Sequence, residues 1–311
     1  MRYAVIDLGT NTFNLLIAED GPNKTYKILL NTKEAVKLGE GGINHKIITE
    51  AAFDRGLNAI GRHFDKIAKF NVQIVRAFAT SAIRDAANGL EFATALKSKY
   101  DLNVIVIPGD KEAELIYKGV KQILPFANRK YLILDIGGGS NEFIIANDNE
   151  IFWKHSFNLG MARLLDRFKP NSPISQNEID HIEVYLHNEL SELHKNVDSY
   201  KPEIFIGASG SFDSLVSIMD AEGLLTSSRT DPFHEIPLPS FSHIYNKLIK
   251  TSKSDRENML YLEPVRKDMI VLATIFVNYV LKLYKFQSLY QSAFSLKEGA
   301  LTEMIENESK K

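Results

Sequence analysis

The stretches "AVIDLGTNTFNLLIA" (4–18) and "LILDIGGGSNEFIIA" (132–146) are one phrase written twice. Each copy has an apolar run ending in Asp, a glycine turn with small hydroxyl or amide side chains, and a second apolar run, which reads as a β-hairpin with a functional tip. Asp7 and Asp135 would each end a buried strand. Turns carrying Gly9, Thr10 and Asn11, or Gly137, Gly138, Gly139 and Ser140, let the backbone come close to a ligand. Amide N–H groups bared in such a turn bind anions, and an adjacent carboxylate can hold a divalent cation that bridges to them. One glycine–aspartate turn is ordinary. A matched pair in repeated halves reads as two jaws on one anionic ligand.

Composition bounds that reading. A chain of 311 residues with 44% apolar content is long enough for two domains with proper cores. The net charge of −2 gives no global pull toward nucleic acid or membrane, and neither is expected as a partner. The first 124 residues carry 17 Lys/Arg against 14 Asp/Glu and the remainder 20 against 25, too mild an asymmetry to name a partner. Without cysteine there is no disulfide framework, thiolate metal site or cysteine nucleophile. The sequence opens on a strand pattern where a secretory signal would need charged and then apolar residues, so a cytoplasmic protein is expected. The longest apolar run, "MIVLATIFV" (269–277), is about half of what a bilayer requires and reads as a core helix.

Strands and helices interleave. Strands are predicted at 3–8, 13–18, 24–31, 72–79 and 103–108. Helices are predicted over 49–70, where Phe53, Leu57, Ile60, Phe64 and Ile67 fall at steps of three and four, and over 110–124. The pattern then restarts with strands at 130–136, 142–146 and 151–157. A helix follows, opening with the capping box Ser175-x-x-Glu178 and running to Val197. A strand at 203–208 and helices near 211–220, 240–250, 264–286 and 297–308 complete the second half. Three leading strands followed by alternating strand and helix, twice over, predict an α/β fold of duplicated domains facing each other across a cleft. The boundary is placed near Pro125, giving domains at 1–124 and 125–311, with the last helix packing back toward the first.

Six stretches resemble the exopolyphosphatase / guanosine pentaphosphate phosphatase (Ppx/GppA) family of the actin, hexokinase and Hsp70-like superfamily, with its ribonuclease H-like domains. They are "IDLGTNTF" (6–13), "ATSAIRDA" (79–86), "IPGDKEAELIYKGV" (107–120), "LDIGGGSNEF" (134–143), "GASGSFDSL" (207–215) and "LKEGAL" (296–301), in the family's order and over almost the whole length. In length the chain resembles the family's short members, which lack extra C-terminal helical domains.

Phosphoryl transfer needs mainly positioning and charge neutralisation. Asp7 and Asp135 would hold Mg²⁺ against phosphate oxygens, with Asn11, Ser140 and the glycine amides donating hydrogen bonds. Arg84 follows a predicted strand end, where its planar guanidinium suits a bidentate phosphate contact. Thr80 and Ser81 are weaker phosphate-binding candidates, since hydroxyls there commonly cap the next helix. The resemblance adds three assignments. It implies that Glu112, at the start of a charged helix, is the general base that activates water. It implies that Glu142 assists the metal, although a strand residue there could equally face solvent. It makes Gly207, Ser209 and Gly210 a phosphate-chain or nucleotide loop. Glu114 and Lys111 depart from the family pattern, which has Arg and an acidic residue at those positions in many members, and Glu114 competes with Glu112 for the role of base.

Other chemistries fail on spacing. "GASGS" (207–211) has Ser211 where a nucleophile elbow needs glycine. His181, His187 and His194 stand six and seven apart, whereas a helical zinc pair needs i, i+4, and they are expected at the surface. The expected activity is therefore release of terminal orthophosphate from inorganic polyphosphate, guanosine pentaphosphate or both. A kinase or ATPase of the same superfamily, or a non-catalytic polyphosphate or alarmone binder, remains as an alternative, and a homodimer is left open.

Overall fold

A computed structural model of the chain describes residues 1–208 and 210–309. The chain divides into two compact units, residues 1–119 with 295–311, and residues 120–294.

In the first unit the opening strands are β1 (Arg2–Leu8), β2 (Thr12–Asp20) and β3 (Tyr26–Ala35). They are followed by α1 (Glu50–Ile67), β4 (Ile74–Ala79), α2 (Ser81–Arg84), α3 (Gly89–Tyr100), β5 (Val104–Val106) and α4 (Gly109–Val120). The sheet order is β3-β2-β1-β4-β5. β1 pairs antiparallel with β2 and parallel with β4, which pairs parallel with β5. β1 is apolar at nearly every position because it is buried on both faces, as central parallel strands are.

The expected stripe on α1 is split in the structure. Ile60 and Ile67 are buried with Ala52 and Ala59, while Phe53, Leu57 and Phe64 are half-buried. Their cover is α3, absent from the sequence-based expectation. Phe53 meets Phe92 edge-on at 4.9 Å between ring centroids, and Phe64 stacks on Tyr100 at 5.5 Å.

The second unit holds β6 (Tyr131–Ile136), β7 (Asn141–Ala146), β8 (Ile151–Phe157), α5 (Met161–Phe168), α6 (Gln176–Glu189), α7 (Ser191–Tyr200) and β9 (Ile204–Ala208). It continues through α8 (Gly210–Ala221), β10 (Phe233–Glu235), α9 (Leu238–Leu248), α10 (Lys253–Glu257), α11 (Ile270–Tyr284) and β11 (Leu289–Ser292). Its sheet order is β10-β11-β9-β6-β7-β8. β6, β9 and β11 are mutually parallel, and β6-β7-β8 form an antiparallel meander. Apart from the edge strand β10, this repeats the order of the first unit. The duplicated α/β architecture read from the two matching phrases is therefore the fold.

Several boundaries differ from expectation. The final helix, α12 (Leu296–Glu308), packs on β1 and β2, so residues 295–311 belong with the first unit rather than the second. Lys111 and Lys118 of α4 add ion pairs to its Glu303 at 2.8 and 2.7 Å. The units divide at residue 119/120, ahead of Pro125. The helix opened by the Ser175–Glu178 capping box breaks at Leu190 into α6 and α7. α11 begins six residues later than predicted, because residues 264–269 form turns, Arg266 N donating to Glu263 O at 2.8 Å. Among the described residues no helix is long and apolar enough to cross a membrane.

Candidate active site

In the first unit the carboxyl ends of three parallel strands lie side by side. Thr80 N donates to Leu8 O at 3.4 Å and Ile107 N donates to Ala79 O at 3.0 Å, joining the ends of β1 and β4 and the segment after β5. Loops at such strand ends are where open α/β sheets bind ligands. They carry the Gly9 turn, the segment Thr80–Arg84 and the start of α4.

The Gly9 turn closes by Gly9 N donating to Thr12 O at 3.1 Å. Its carbonyls are held by the loop after β3. Val36 N and Lys37 N both donate to Asn11 O at 2.9 Å, and Gly39 N donates to Thr10 O at 3.3 Å. Thr10 and Asn11 are buried. Asp7 stands opposite Asn14 in the hairpin register and accepts a hydrogen bond from Asn14 Nδ2 at 2.8 Å. Burial pushes its carboxyl up to about 6, against the opposing pull of the Asn14 hydrogen bond and the Lys297 charge.

Glu112 and Arg84, predicted independently, are brought together. Arg84 Nη1 donates to Glu112 Oε2 at 2.9 Å and to Ile107 O at 3.1 Å, and Arg84 Nε lies 3.4 Å from Asp85 Oδ1. Part of the guanidinium expected to grip phosphate therefore holds the carboxylate of the expected base. Glu112 is 7% exposed. Glu114 faces elsewhere, 3.6 Å from Lys111 Nζ and half-exposed. Thr80 occupies the N-cap position of α2 without a side-chain cap, and Ser81 Oγ donates to Asp85 Oδ2 at 3.0 Å. Both are buried.

In the second unit the matching turn closes the same way, Gly137 N donating to Ser140 O at 3.0 Å. Asp135 faces Glu142 across the hairpin, and both are buried, so Glu142 does not point to solvent. Ser156 Oγ donates to Glu142 Oε1 at 2.7 Å. Two carboxylates side by side are hard oxygen donors of the kind Mg²⁺ takes, and Mg²⁺ needs only one or two besides substrate phosphate and water. Among the described residues no group of three or more His, Cys, Asp or Glu is placed to hold a metal.

The "GASGS" loop has other duties. Gly207 lies under the Phe212 ring, where a Cβ would meet ring carbon at 2.0 Å. Gly210 lies against the Arg266 guanidinium at the start of α8. Arg266 is 8% exposed, and its Nε has no hydrogen-bond partner among the described residues. The sequence reading missed it, although an arginine just before the most apolar helix of the chain was the available signal. Ser209 lies outside the described residues. His187 and His194 are tied to α11, their Nδ1 atoms sharing hydrogen bonds with the hydroxyls of Tyr279 (3.1 Å) and Tyr284 (2.6 Å). Burial pushes Tyr279 up to about 12 and raises Tyr284 as well, so both phenols keep their protons. His187 is exposed as expected, and His194 is half-buried.

Residues 16–308 match the family model described as the Ppx/GppA phosphatase family. An exopolyphosphatase from Cytophaga hutchinsonii, known from its crystal structure, is 36% identical with a TM-score of 0.95, over 99% of this chain and 98% of that one. The Aquifex aeolicus member of the Ppx/GppA family shares the fold at 22% identity with a TM-score of 0.80, over 99% and 98% of the two chains. The bifunctional 3-dehydroquinate synthase/phosphatase of Fusobacterium nucleatum is 30% identical over 98% of this chain, which spans 46% of that relative's length.

Proposed function

Because the chain belongs to the Ppx/GppA phosphatase family, we propose that it releases terminal orthophosphate from inorganic polyphosphate, from guanosine pentaphosphate, or from both. The observation that carries this reading is the Glu112 carboxylate, nearly buried and fastened by Arg84 at the strand ends that also present the Gly9 turn.

The chemistry follows from those groups. Water attacks the terminal phosphorus in line with the bridging P–O bond. Glu112 accepts the water's proton, the new P–O bond forms, and the bridging bond breaks to leave the shortened anhydride. A base so placed contributes on the order of 10²–10⁴ in rate. Arg84 has two tasks in this proposal, holding Glu112 through Nη1 and presenting the rest of its guanidinium's charge to phosphate oxygens. The amides of Thr10 and Asn11, and of Gly138, Gly139 and Ser140, are the backbone donors for phosphate, within the turns that Gly9 N and Gly137 N close. Arg266, whose guanidinium lies against Gly210 at the start of α8, is a further cation for the chain of phosphates, and Gly207, Ser209 and Gly210 are the loop assigned to that chain. Asp7, Asp135 and Glu142 are the carboxylates assigned to Mg²⁺, with Asp135 and Glu142 the best-matched pair. When bound, the ion would neutralise charge on phosphate oxygens.

Phosphate release from long-chain polyphosphate, tripolyphosphate, guanosine pentaphosphate and ATP, each with Mg²⁺ and with excess EDTA, tests the reading. Release from at least one of the first three, lost in EDTA, is expected. Turnover of ATP alone with a phosphoryl acceptor would replace it with a kinase, and full activity in EDTA would remove the metal assignment.

A further inference from the structure

The start of α5 lies outside every motif singled out in the sequence, yet it spends its donors on the second glycine tip. Met161 N donates to Gly137 O at 2.9 Å, Ala162 N to Gly138 O at 2.8 Å and Gly160 N to Gly139 O at 3.3 Å. The approach is so close that a Cβ on Gly160 would lie 2.3–2.4 Å from backbone atoms of Gly138 and Gly139. Free amides at a helix N-terminus are themselves an anion site, but these are occupied by turn carbonyls.

Their effect is on the other side of the turn. In a trans peptide the C=O of one residue and the N–H of the next point in opposite directions. Pinning the carbonyls of Gly137, Gly138 and Gly139 onto α5 therefore turns the amides of Gly138, Gly139 and Ser140 away from it. Three successive glycines have little intrinsic preference for any one arrangement, so this orientation must be imposed from outside.

One side chain joins the helix amides in imposing it. Arg163 Nε donates to Gly139 O at 2.7 Å, alongside Gly160 N on the same oxygen. A charged donor makes the stronger hydrogen bond, and by polarising the Gly139–Ser140 peptide it strengthens the Ser140 N–H as a donor. We infer that Arg163 is a positioning residue that clamps the Gly137–Ser140 tip in the orientation in which its amides receive a phosphate group. The inference rests on the proposed role of that tip as a phosphate site.

The test separates the directed Nε bond from mere positive charge. Arg163→Lys keeps the charge and loses the secondary N–H, and Arg163→Met loses both. Each is compared with wild type by steady-state hydrolysis of tripolyphosphate and by hydrogen–deuterium exchange at residue 137 and residues 160–162, whose amides close the tip and bind its carbonyls. Both variants are expected to raise KM by about tenfold, with kcat reduced less. Both are also expected to speed exchange at the tip, with exchange elsewhere in the unit unchanged. A lysine variant with wild-type KM and exchange would show that charge alone suffices, and a methionine variant with both unchanged would show no role; either result overturns the clamp. Wild type inactive on polyphosphates and on guanosine pentaphosphate alike would sink the functional reading instead, and the exchange arm would still decide whether Arg163 holds the tip.

Discussion

At the first hairpin tip the carbonyls of Thr10 and Asn11 are held by loop amides from Val36, Lys37 and Gly39. That loop is in turn tied to α1 by Arg55, whose Nε donates to Val36 O at 2.8 Å and whose Nη2 donates to Lys37 O at 3.0 Å. At the second tip the holding element is a helix end, and the arginine bonds the turn directly. The carboxylates differ too. Asp7 faces an amide, Asn14, whereas Asp135 faces a second carboxylate, Glu142. The repeated phrase thus preserves a turn while its surroundings diverge. In the proposed mechanism the first unit carries the base Glu112 with its anchor Arg84, and the second carries the paired carboxylates and the more tightly clamped anion loop. Duplication supplies two similar backbones, and the side chains around them divide the labour.

The largest effect should come from the group that exists in only one unit. Glu112→Gln keeps the side chain's shape and removes its basicity, so kcat for phosphate release should fall about 10²–10⁴-fold with KM within a few-fold. Arg84→Ala should lower kcat and raise KM together, because it both frees Glu112 and removes a phosphate contact. Glu114→Gln should stay near wild type, its carboxylate lying beside Lys111. Steady-state kinetics on one substrate decides among them, and a collapse in Glu114→Gln alone would move the base to that residue.

A middle-sized effect separates Asp7 from an ordinary surface acid. Its folded pKa is raised to about 6 from 3.8, so ionisation costs the folded state. The sign is then set. Below the ordinary carboxylate range both states hold the proton and nothing is lost; stability falls as pH rises toward 6, and above that the full cost of about 1–3 kcal/mol is present. Asp7→Asn should therefore unfold at a higher temperature than wild type at pH 8 in EDTA, with the gain vanishing near pH 4. Equal melting temperatures at pH 8 would show that burial does not penalise this carboxylate, and would narrow the contrast between the two hairpins.

The smallest effect concerns α4 and α12. Burial raises the Glu303 carboxyl, but hydrogen bonds from Lys111 and Lys118 outweigh that and hold it below its ordinary value. Its contribution is present at neutral pH and is lost as pH falls through the lowered folded value. With all three side chains partly exposed, Lys111→Ala should cost about 0.3–1 kcal/mol at pH 7 and less at pH 3, measured by urea unfolding. Phosphate release should change less than fivefold, since the Arg84 contact still anchors Glu112. A large loss of activity would show that this ion-pair group, as well as Arg84, holds the start of α4 in place.

What could be read along the chain was whatever short-range physics dictates. The two hairpins, their terminal aspartates and the Ser175–Glu178 cap follow from alternation, turn chemistry and local hydrogen bonding over a few residues. Even the facing of Asp135 and Glu142 is implicit in a hairpin closed at Gly137 and Ser140. α3 escaped because only Gly89, Phe92 and Leu96 are buried on it, too few to mark a period. The Arg84–Glu112 pair, 28 residues apart, exists because parallel pairing sets the ends of β4 and β5 side by side. The Arg163 clamp exists because α5 returns to a turn more than twenty residues earlier. The assignment of α12 to the first unit depends on a surface left open on β1 and β2. Periodicity and turn residues specify which elements form; strand order and helix return, which no local signal encodes, specify which side chains meet.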